Sequence, residues 1–143
     1  MIEYDYNEVD FEFNEALHSE WLSKVIVSEQ KEEGIFSYLF CTDDYLLEIN
    51  KKYLQHDYYT DIITFDNTEG NILGADVCIS IDRVRANALD YEVSFEEELR
   101  RVLVHGVLHT CGYKDKTEEE ATKMRKLEDE KMALFHVEQN KKS

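Results

Sequence analysis

Apolar residues recur at two different spacings along this chain, and the two spacings predict separate helices and strands. Between residues 15 and 32 they recur every three or four positions, which is typical of an amphipathic helix. These positions are Leu17, Trp21, Leu22, Val25 and Ile26. Because glycine destabilises a helix and favours its end, we expect Gly34 to stop this helix.

Continuous or alternating apolar runs, bounded by turn residues, predict the strands. Two short ones are possible near the N-terminus and three longer ones follow. They are residues 1–6, 9–13, 35–42, 60–67 and 72–80. A turn around Glu69 and Gly70 is expected to join the last two.

Four residues with short hydroxyl side chains mark predicted helix starts. Thr42 and Ser80 are expected N-caps, the second for a short helix to about Asp90. The segments SFEE and TEEE are capping boxes that open helices over about 94–112 and 117–137. Strands and helices mix without strict alternation. We therefore predict one α+β domain over residues 1–143, with a mixed sheet of about four strands and fraying at 138–143.

Charge limits the function classes. The 143 residues include 16 Lys and Arg against 32 Asp and Glu, which gives a formal net charge of −16. Affinity for nucleic acid that is independent of its sequence comes from basic side chains, so this balance opposes a plain nucleic-acid binder. An acidic chain can still cut RNA if positive charge or a metal ion is concentrated at its site.

Cysteine usage and the N-terminus indicate a cytoplasmic protein. Cys41, Cys78 and Cys111 form no close pair, so disulfides are not expected. The first residues, MIEYDYNEVD, lack the basic and apolar regions of a signal peptide. No apolar run approaches the ~18 residues of a membrane span, so no membrane contact is predicted.

The stretch HGVLHTCGYKD, residues 105–115, carries the strongest chemical signal in the chain. The helix predicted over 94–112 is apolar on nearly every side in its second half, so it should be buried. His105 and His109 are four positions apart and share one face of that helix. A single buried histidine is usually a hydrogen-bonded core residue, whereas a pair at this spacing favours metal ligation.

Gly112 and Asp115 complete a predicted metal site. Glycine at a helix end accepts positive φ, which lets the chain turn back towards the histidines. Asp115 is then placed to give a third ligand, and two imidazoles with one carboxylate leave an open position, as in catalytic zinc sites. The alternative is a capping glycine followed by a solvated loop, in which Asp115 only introduces the next helix.

Gly106 stands where zinc proteases with this helix carry a catalytic glutamate. Without that base, protein hydrolysis by the same route is disfavoured. A bound metal ion can bring the pKa of water to about 7 and can polarise a phosphoryl oxygen. Phosphodiester cleavage therefore suits the predicted site.

Two ordered motifs resemble the YbeY-type bacterial endoribonucleases. Their signature H-G-x-L-H-x-x-G-Y-x-H is matched by His105, Gly106, Leu108, His109, Gly112 and Tyr113, with Asp115 at the third histidine. A second signature, N-x-x-Y-R-x-x-D-x-P-T-D-V-L-S-F, is similar to NKKYLQHDYYTDIITF. Its matches are Asn50, Tyr53, Asp57, Thr60, Asp61 and Phe65, and Asp76 matches in the following strand.

The resemblance implies a function, a cofactor and partners. Members of that family are single-strand-specific, metal-dependent endoribonucleases that act on the 3′ end of 16S rRNA and in ribosome quality control. On this chain it implies one Zn²⁺ held by His105, His109 and Asp115, which would be catalytic through the metal. It also implies single-stranded rRNA as substrate, the ribosome or its small-subunit proteins as partners, and a metal helix packed over a sheet.

Two departures from the family pattern are informative. Leu54 stands where the signature has an arginine that would contact phosphate. The side chains that could substitute are Lys51, Lys52, His56, Arg83 and Lys114. Asp115 replaces a histidine, and a carboxylate remains an acceptable zinc ligand. A gapped alignment would instead pair Asp115 with the family aspartate and leave Lys116 as the departure.

Other candidates and functions stay open at this point. We interpret Asp61 and Asp76 as structural acids, with a place in the cleft as the alternative. The isolated His18, His56 and His136 are interpreted as surface or core residues, and Cys111 as a buried thiol facing away from the metal. Alternative functions are a metallopeptidase that uses a distant acid, a non-catalytic ribosome-associated metalloprotein, and iron chemistry on the same three ligands.

Overall fold

The computed structural model describes the backbone of residues 1–142 and the side chains of residues 1–135. Strands and helices follow one another in a mixed order. They are β1 (Ile2–Tyr6), α1 (Glu15–Ser28), β2 (Glu32–Cys41), α2 (Asp43–Leu54), β3 (Ile62–Asp66), β4 (Ile72–Ser80), α3 (Ile81–Asp90), α4 (Phe95–Thr110) and α5 (Glu118–Lys142). The predicted fraying at 138–143 lies outside the residues whose side chains are described.

The sheet has four strands in the order β1-β2-β4-β3. β1, β2 and β4 run parallel, whereas β3 runs antiparallel to β4. β3 and β4 are joined by the turn at Gly70, whose φ of +59° lies in the left-handed region that glycine tolerates. The predicted α+β domain with one mixed sheet of about four strands is confirmed.

Helices cover the two faces of the sheet unequally. Alternate residues of β2, namely Phe36, Tyr38 and Phe40, join the main core with apolar residues of α1, α4 and α5. The opposite face carries a small second cluster under α2, built around Leu46 and Ile63. Because side chains alternate across a strand, the deep core lies on the side that α4 covers. Within the described residues no helix is long and apolar enough to cross a membrane.

Two expectations about the N-terminal third are wrong. Residues 9–13 form no strand; they cross the main core as irregular chain, with Phe11 and Phe13 packed on Phe40. The first helix ends at Ser28 rather than 32, because Gln30 takes a left-handed conformation at φ +59°. Gly34 therefore does not stop a helix. It lies inside β2, where an added Cβ would come within 2.5 Å of the Leu73 carbonyl oxygen of β4.

Helix starts follow the sequence more closely than helix ends. The side chains of Thr42, Ser80 and Ser94 each accept a backbone N–H three residues on. The backbone N–H of Thr117 donates to the Glu120 side chain and the N–H of Glu120 donates to the Thr117 side chain, each at 3.0 Å. These two bonds form the complete capping box. A cap depends only on residues within one turn, so it is legible in the sequence.

Candidate active site

Helix α4 presents different residues to the sheet and to an open cleft. Gly106 is buried on the sheet side, where an added Cβ would meet Ile62 and Val77 at 3.5–3.6 Å. His105 and His109 line the cleft instead. A carboxylate at position 106 would therefore enter the core, so this position belongs to helix–sheet packing and supplies no base.

The turn after α4 brings Asp115 back to the first histidine. Gly112 has a φ of +101°, and its N–H bonds the carbonyl of His109. The chain then reverses, and Asp115 Oδ2 lies 3.2 Å from His105 Nε2. The glycine turn predicted from the sequence is confirmed. The capping-only alternative fails to explain this contact, because it leaves Asp115 in a loop with no partner on α4.

Glu128 of α5 holds the other ring nitrogen of His105. Its Oε2 accepts a hydrogen bond from Nδ1 at 2.7 Å, and its side chain is only 6% exposed. Oε1 of the same carboxylate accepts from Arg101 at 3.0 Å, and Arg101 also bonds Asp129 at 2.6 Å. A carboxylate on Nδ1 fixes the ring orientation and directs Nε2 into the cleft. Sequence reasoning missed this residue.

His105 therefore lies between two carboxylates. Burial by itself lowers its pKa, but the hydrogen bond to Glu128 and the charges of Asp115 and Asp61 outweigh burial and raise it overall. A positive charge at Nε2, whether a proton or a metal cation, is what this surrounding favours. The donor set thus fits a cation held by imidazole nitrogen and carboxylate oxygen.

His109 is less firmly placed. It is exposed on the cleft wall one turn beyond His105, on the face shared by positions four apart. Among the side chains of residues 1–135, no group of three or more His, Cys, Asp or Glu could hold a metal ion as it stands. The structure thus joins His105 with Asp115 and sets His109 beside them, without a finished three-ligand cage.

Two acids, the buried Glu98 and the partly buried Asp61, line the cleft, whose volume is about 430 Å³. Burial, together with the nearby charge of Asp61, raises the pKa of Glu98 to about 7. Burial also raises the pKa of Asp61, against the opposing charge of His105. Asp61 additionally lies 3.5 Å from the amide of Asn87. Asp61 thus lines the cleft, as the alternative interpretation held, and its bond to Asn87 is also what a structural acid would make.

Positive charge in the cleft comes from Arg101 and Arg125. Arg101 is neutralised by Glu128 and Asp129. Arg125 is exposed and lies over the ring of Tyr91, 5.5 Å from its centroid, and no salt bridge among the described residues neutralises it. The sequence singled out neither arginine, because both lie in helical segments that read as solvated charge.

None of the five basic residues predicted for RNA lines this cleft. Lys51 pairs with Glu48 and Asp57 at 3.7 and 3.6 Å, and Arg83 pairs with Asp43 at 2.7 Å. The others are equally occupied or distant. Lys52 lies over the ring of Tyr53, His56 stacks on Tyr58, and Lys114 lies beside Gly112 on a separate surface. Their predicted role stays a prediction.

The remaining candidates lie outside the cleft. Asp76 accepts a hydrogen bond from Asn67 on the far face of β4, which agrees with a structural role. Cys111 is partly rather than fully buried, and burial raises its pKa to about 11. His18 is a core residue. His136 lies outside the residues whose side chains are described.

Comparison with protein families gives a match over nearly the whole chain. The family described as Endoribonuclease YbeY matches residues 2–136. The Endoribonuclease YbeY of Flavobacterium johnsoniae is 56% identical over 140 residues, covering 97% of this chain and 100% of that protein. The protein of the same name from Christiangramia forsetii is 55% identical over 135 residues, covering 94% of each.

A solved structure shares the fold. The solution structure of TM1509 from Thermotoga maritima superimposes with a TM-score of 0.65, covering 96% of this chain and 93% of that one. Its sequence identity is 23%, so the likeness concerns the arrangement of the sheet and helices and not the chemistry of the cleft.

Proposed function

The chain belongs to the YbeY endoribonuclease family, and on that premise we propose that it is a metal-dependent endoribonuclease. Its substrate is single-stranded RNA, and its role is maturation of the 3′ end of 16S rRNA and ribosome quality control. One observation carries this proposal: the cleft holds His105 between the carboxylates of Asp115 and Glu128 in a chain that matches its relatives from end to end.

The residues that would hold the metal are His105 through Nε2, His109 and Asp115. Nitrogen and oxygen donors in this number suit Zn²⁺ and leave a coordination position open. His109 has to join the His105–Asp115 pair for the set to be complete. A zinc ion bound there would supply a Lewis acid that polarises a phosphoryl oxygen. Glu128 keeps the proton of His105 on Nδ1 and so keeps Nε2 available as a ligand.

Arg125 is the phosphate contact that the cleft itself offers. Leu54, at the position of the family arginine, is 41% exposed and carries no charge. Arg101 is already paired with two carboxylates, whereas Arg125 remains exposed at the cleft. We therefore add Arg125 to the basic residues that the sequence predicted for RNA, since those do not line the cleft. A guanidinium can bind a phosphate through two parallel hydrogen bonds.

The acidic surface makes recruitment part of the function. With a net charge of −16, and with Arg125 as the cleft arginine that no salt bridge within residues 1–135 neutralises, affinity for free RNA is weak. Small-subunit proteins of the ribosome then supply most of the binding, and the enzyme works in the cytoplasm. Tight binding of free RNA with a steep salt dependence would contradict this division of roles.

The test combines metal content with substrate choice. Protein purified without added metal is analysed for bound zinc, then incubated with single-stranded RNA, the same RNA as a duplex, and casein. We expect about one zinc per chain and chelator-sensitive cleavage of the single strand alone. Chelator-sensitive proteolysis without RNA cleavage would replace the proposal with the metallopeptidase alternative, which the buried Gly106 disfavours.

A further inference from the structure

One side of helix α3 runs along the cleft. Arg83, Asn87 and Tyr91 follow one another at intervals of four residues, so their side chains share a face. Asn87 and Tyr91 line the cleft directly. Arg83 continues the same row in the other direction, away from Tyr91. The row therefore defines a path that extends past the cleft at the Arg83 end.

Each end of this path carries an exposed tyrosine with an arginine on its ring. Arg83 lies over Tyr59, 5.3 Å from the ring centroid, and Arg125 lies over Tyr91 at 5.5 Å. Tyr59 is 49% exposed and Tyr91 is 54% exposed. About half of each tyrosine is thus exposed beside a cation, and the exposed part is available to pack against a further flat partner.

The loop that carries Tyr59 is held in place and leads into the cleft. The amide of Asn50 donates to the carbonyl of Tyr58 at 2.9 Å, and the Tyr59 hydroxyl donates to Asp44 at 3.2 Å. The next two residues, Thr60 and Asp61, line the cleft. Tyr59 is therefore an ordered ring directly upstream of the cleft wall, and a strand that lies on it continues towards His105.

The spacing of positions 83 and 91 along α3 indicates which kind of RNA strand fits this surface. Eight residues divide Arg83 from Tyr91, which is about 12 Å along a helix axis. Bases stacked in a duplex follow at about 3.4 Å. Bases that lie near the two ends of this row therefore cannot be nearest neighbours in a stack, which favours a splayed, unpaired strand across the cleft. Splayed bases on aromatic side chains are the usual way in which proteins recognise single-stranded RNA.

We infer that Tyr59 and Tyr91, each backed by an arginine, are two base-stacking subsites that hold single-stranded RNA on either side of the cleft. The inference deepens the proposed function and rests on it. Stacking supplies affinity without net positive charge, which suits a chain of net charge −16. Asp43 and Asp44 beside Tyr59 oppose phosphate, and Arg83 offsets the first through its 2.7 Å ion pair, so binding at this subsite depends on the base.

The experiment measures binding of a fluorescent single-stranded RNA by anisotropy, with EDTA present to prevent cleavage. Tyr59→Ala and Tyr91→Ala should each weaken binding about 5-fold or more, since one stacked base is lost. Tyr59→Phe and Tyr91→Phe keep the ring and should bind like the unmodified protein. Tyr45→Ala is the matched control, because Tyr45 is also an exposed tyrosine, 40% exposed, but among the side chains of residues 1–135 no cation lies over its ring.

Two further readouts separate stacking from charge. The slope of binding against salt concentration should be unchanged in both alanine variants, because no phosphate contact is removed. An oligomer with abasic sites in place of its bases should bind equally to all variants. Circular dichroism melting of each variant confirms that the fold is retained before binding is compared.

The outcomes distinguish this inference from the function on which it rests. If the unmodified protein binds and cleaves single-stranded RNA while both alanine variants bind equally well, the subsites are overturned and the function stands. The subsites are likewise overturned if the phenylalanine variants lose as much affinity as the alanine variants. If the unmodified protein neither binds nor cleaves RNA, both proposals fail together.

Discussion

The aromatic pocket around His18 and the cleft around His105 both enclose an imidazole, but they surround it with opposite chemistry. His18 is 8% exposed and lies among Phe13, Trp21 and Phe135, with ring centroids 4.3–6.3 Å away. Its Nδ1 donates to the Asn14 carbonyl at 2.8 Å. His105 meets no aromatic ring among the described residues, and a carboxylate faces each of its nitrogens.

The two surroundings shift the two histidines in opposite directions. Burial lowers the pKa of His18, and the charge of Arg100 lowers it further against the hydrogen bond to Asn14. Carboxylates raise the pKa of His105 in spite of burial. Burial alone therefore keeps an imidazole neutral and inert. The partly buried His105 has a raised pKa because acidic partners reach it, and these come from a turn and from another helix.

Removal of each imidazole in turn is expected to give the largest difference between the two sites, in RNA cleavage for one and in stability for the other. His105→Ala removes a proposed metal ligand, so RNA cleavage should fall by more than about 100-fold, beyond the range for outer-shell partners. His18→Ala removes packing instead, which should lower the free energy of unfolding by about 2–4 kcal/mol. Cleavage per folded molecule should then stay within about 2-fold, as measured by single-turnover assays beside denaturant melts.

Similar behaviour of the two variants would contradict the assignment of different roles to His18 and His105. Equal loss of activity in His18→Ala, with its fold intact, would mean that the aromatic pocket takes part in the reaction.

Substitution of Asp115 should separate metal binding from folding. Asp115 is 44% exposed, so Asp115→Ala should change the free energy of unfolding of metal-free protein by less than about 0.5 kcal/mol. The same change should lower zinc occupancy by at least about 10-fold near the dissociation constant of the unmodified protein. Asp115→His should keep the metal, since imidazole is an equally suitable ligand. Metal stoichiometry after dialysis against buffered zinc provides the measurement.

Full occupancy in Asp115→Ala would remove this residue from the site. The third ligand would then have to come from water or from another cleft acid, such as Asp61.

Substitution of Glu128 tests whether the hydrogen-bond partner on Nδ1 of His105 affects zinc affinity as much as a ligand does. Glu128→Gln keeps the shape but removes the charge that orients His105, so zinc affinity should fall about 10- to 100-fold. Asp129→Asn is the matched control, because it removes the other ion pair of Arg101, at 2.6 Å, without touching His105. Titration with a fluorescent zinc competitor gives both affinities.

An equal effect of both substitutions would assign the loss to Arg101 rather than to His105. The restoring variant is Glu128→Asp, which returns the charge and should recover part of the affinity.

The smallest effect expected is on the pH dependence of stability. Because the folded pKa of His18 lies below its unfolded value of about 6.5, the unfolded chain takes up the proton first as the pH falls. The contribution of His18 is therefore complete above about pH 7 and is lost progressively below that value. His18→Gln cannot ionise, so its free energy of unfolding should decline less between pH 7 and 5. Parallel declines in the two proteins would refute this assignment.

Contacts in the cleft between residues close in sequence could be predicted, whereas contacts between distant residues could not. His105, Gly112 and Asp115 fall within eleven residues and are coupled by one helix and one turn, so their spacing predicted the return of Asp115 to His105. The predicted third ligand, His109, lies on the same cleft without completing a group of three within the described residues. Glu128 lies twenty-three residues from His105 and joins it only when α5 packs on α4. The sequence did contain a signal for it. Glu128 falls at helical spacing among the buried Met124, Met132 and Phe135, and a carboxylate in an apolar stripe requires a partner.

The charged residues also show what could be predicted from the sequence and what required the tertiary structure. Lys51 and Arg83 are basic in the sequence, but in the folded chain Lys51 forms an ion pair with Asp57 and Arg83 forms one with Asp43. Arg125 reads as part of a solvated helix, yet packing sets it at the cleft beside Tyr91. A sequence gives the number of charges, whereas the free charge at a site depends on which opposite charges fold against it.

The sequence by itself determined most of the elements, the caps and the helix that carries His105 and His109, because each depends on residues within a few positions of one another. It also determined the family, since the two motifs lie in order along the chain. Only the tertiary structure decided that Glu128 holds His105, that Asp61, Glu98 and Tyr91 line one cleft, and that Arg83 lies over Tyr59. These contacts join separate elements, and their geometry is set when α3, α4 and α5 pack beside the sheet.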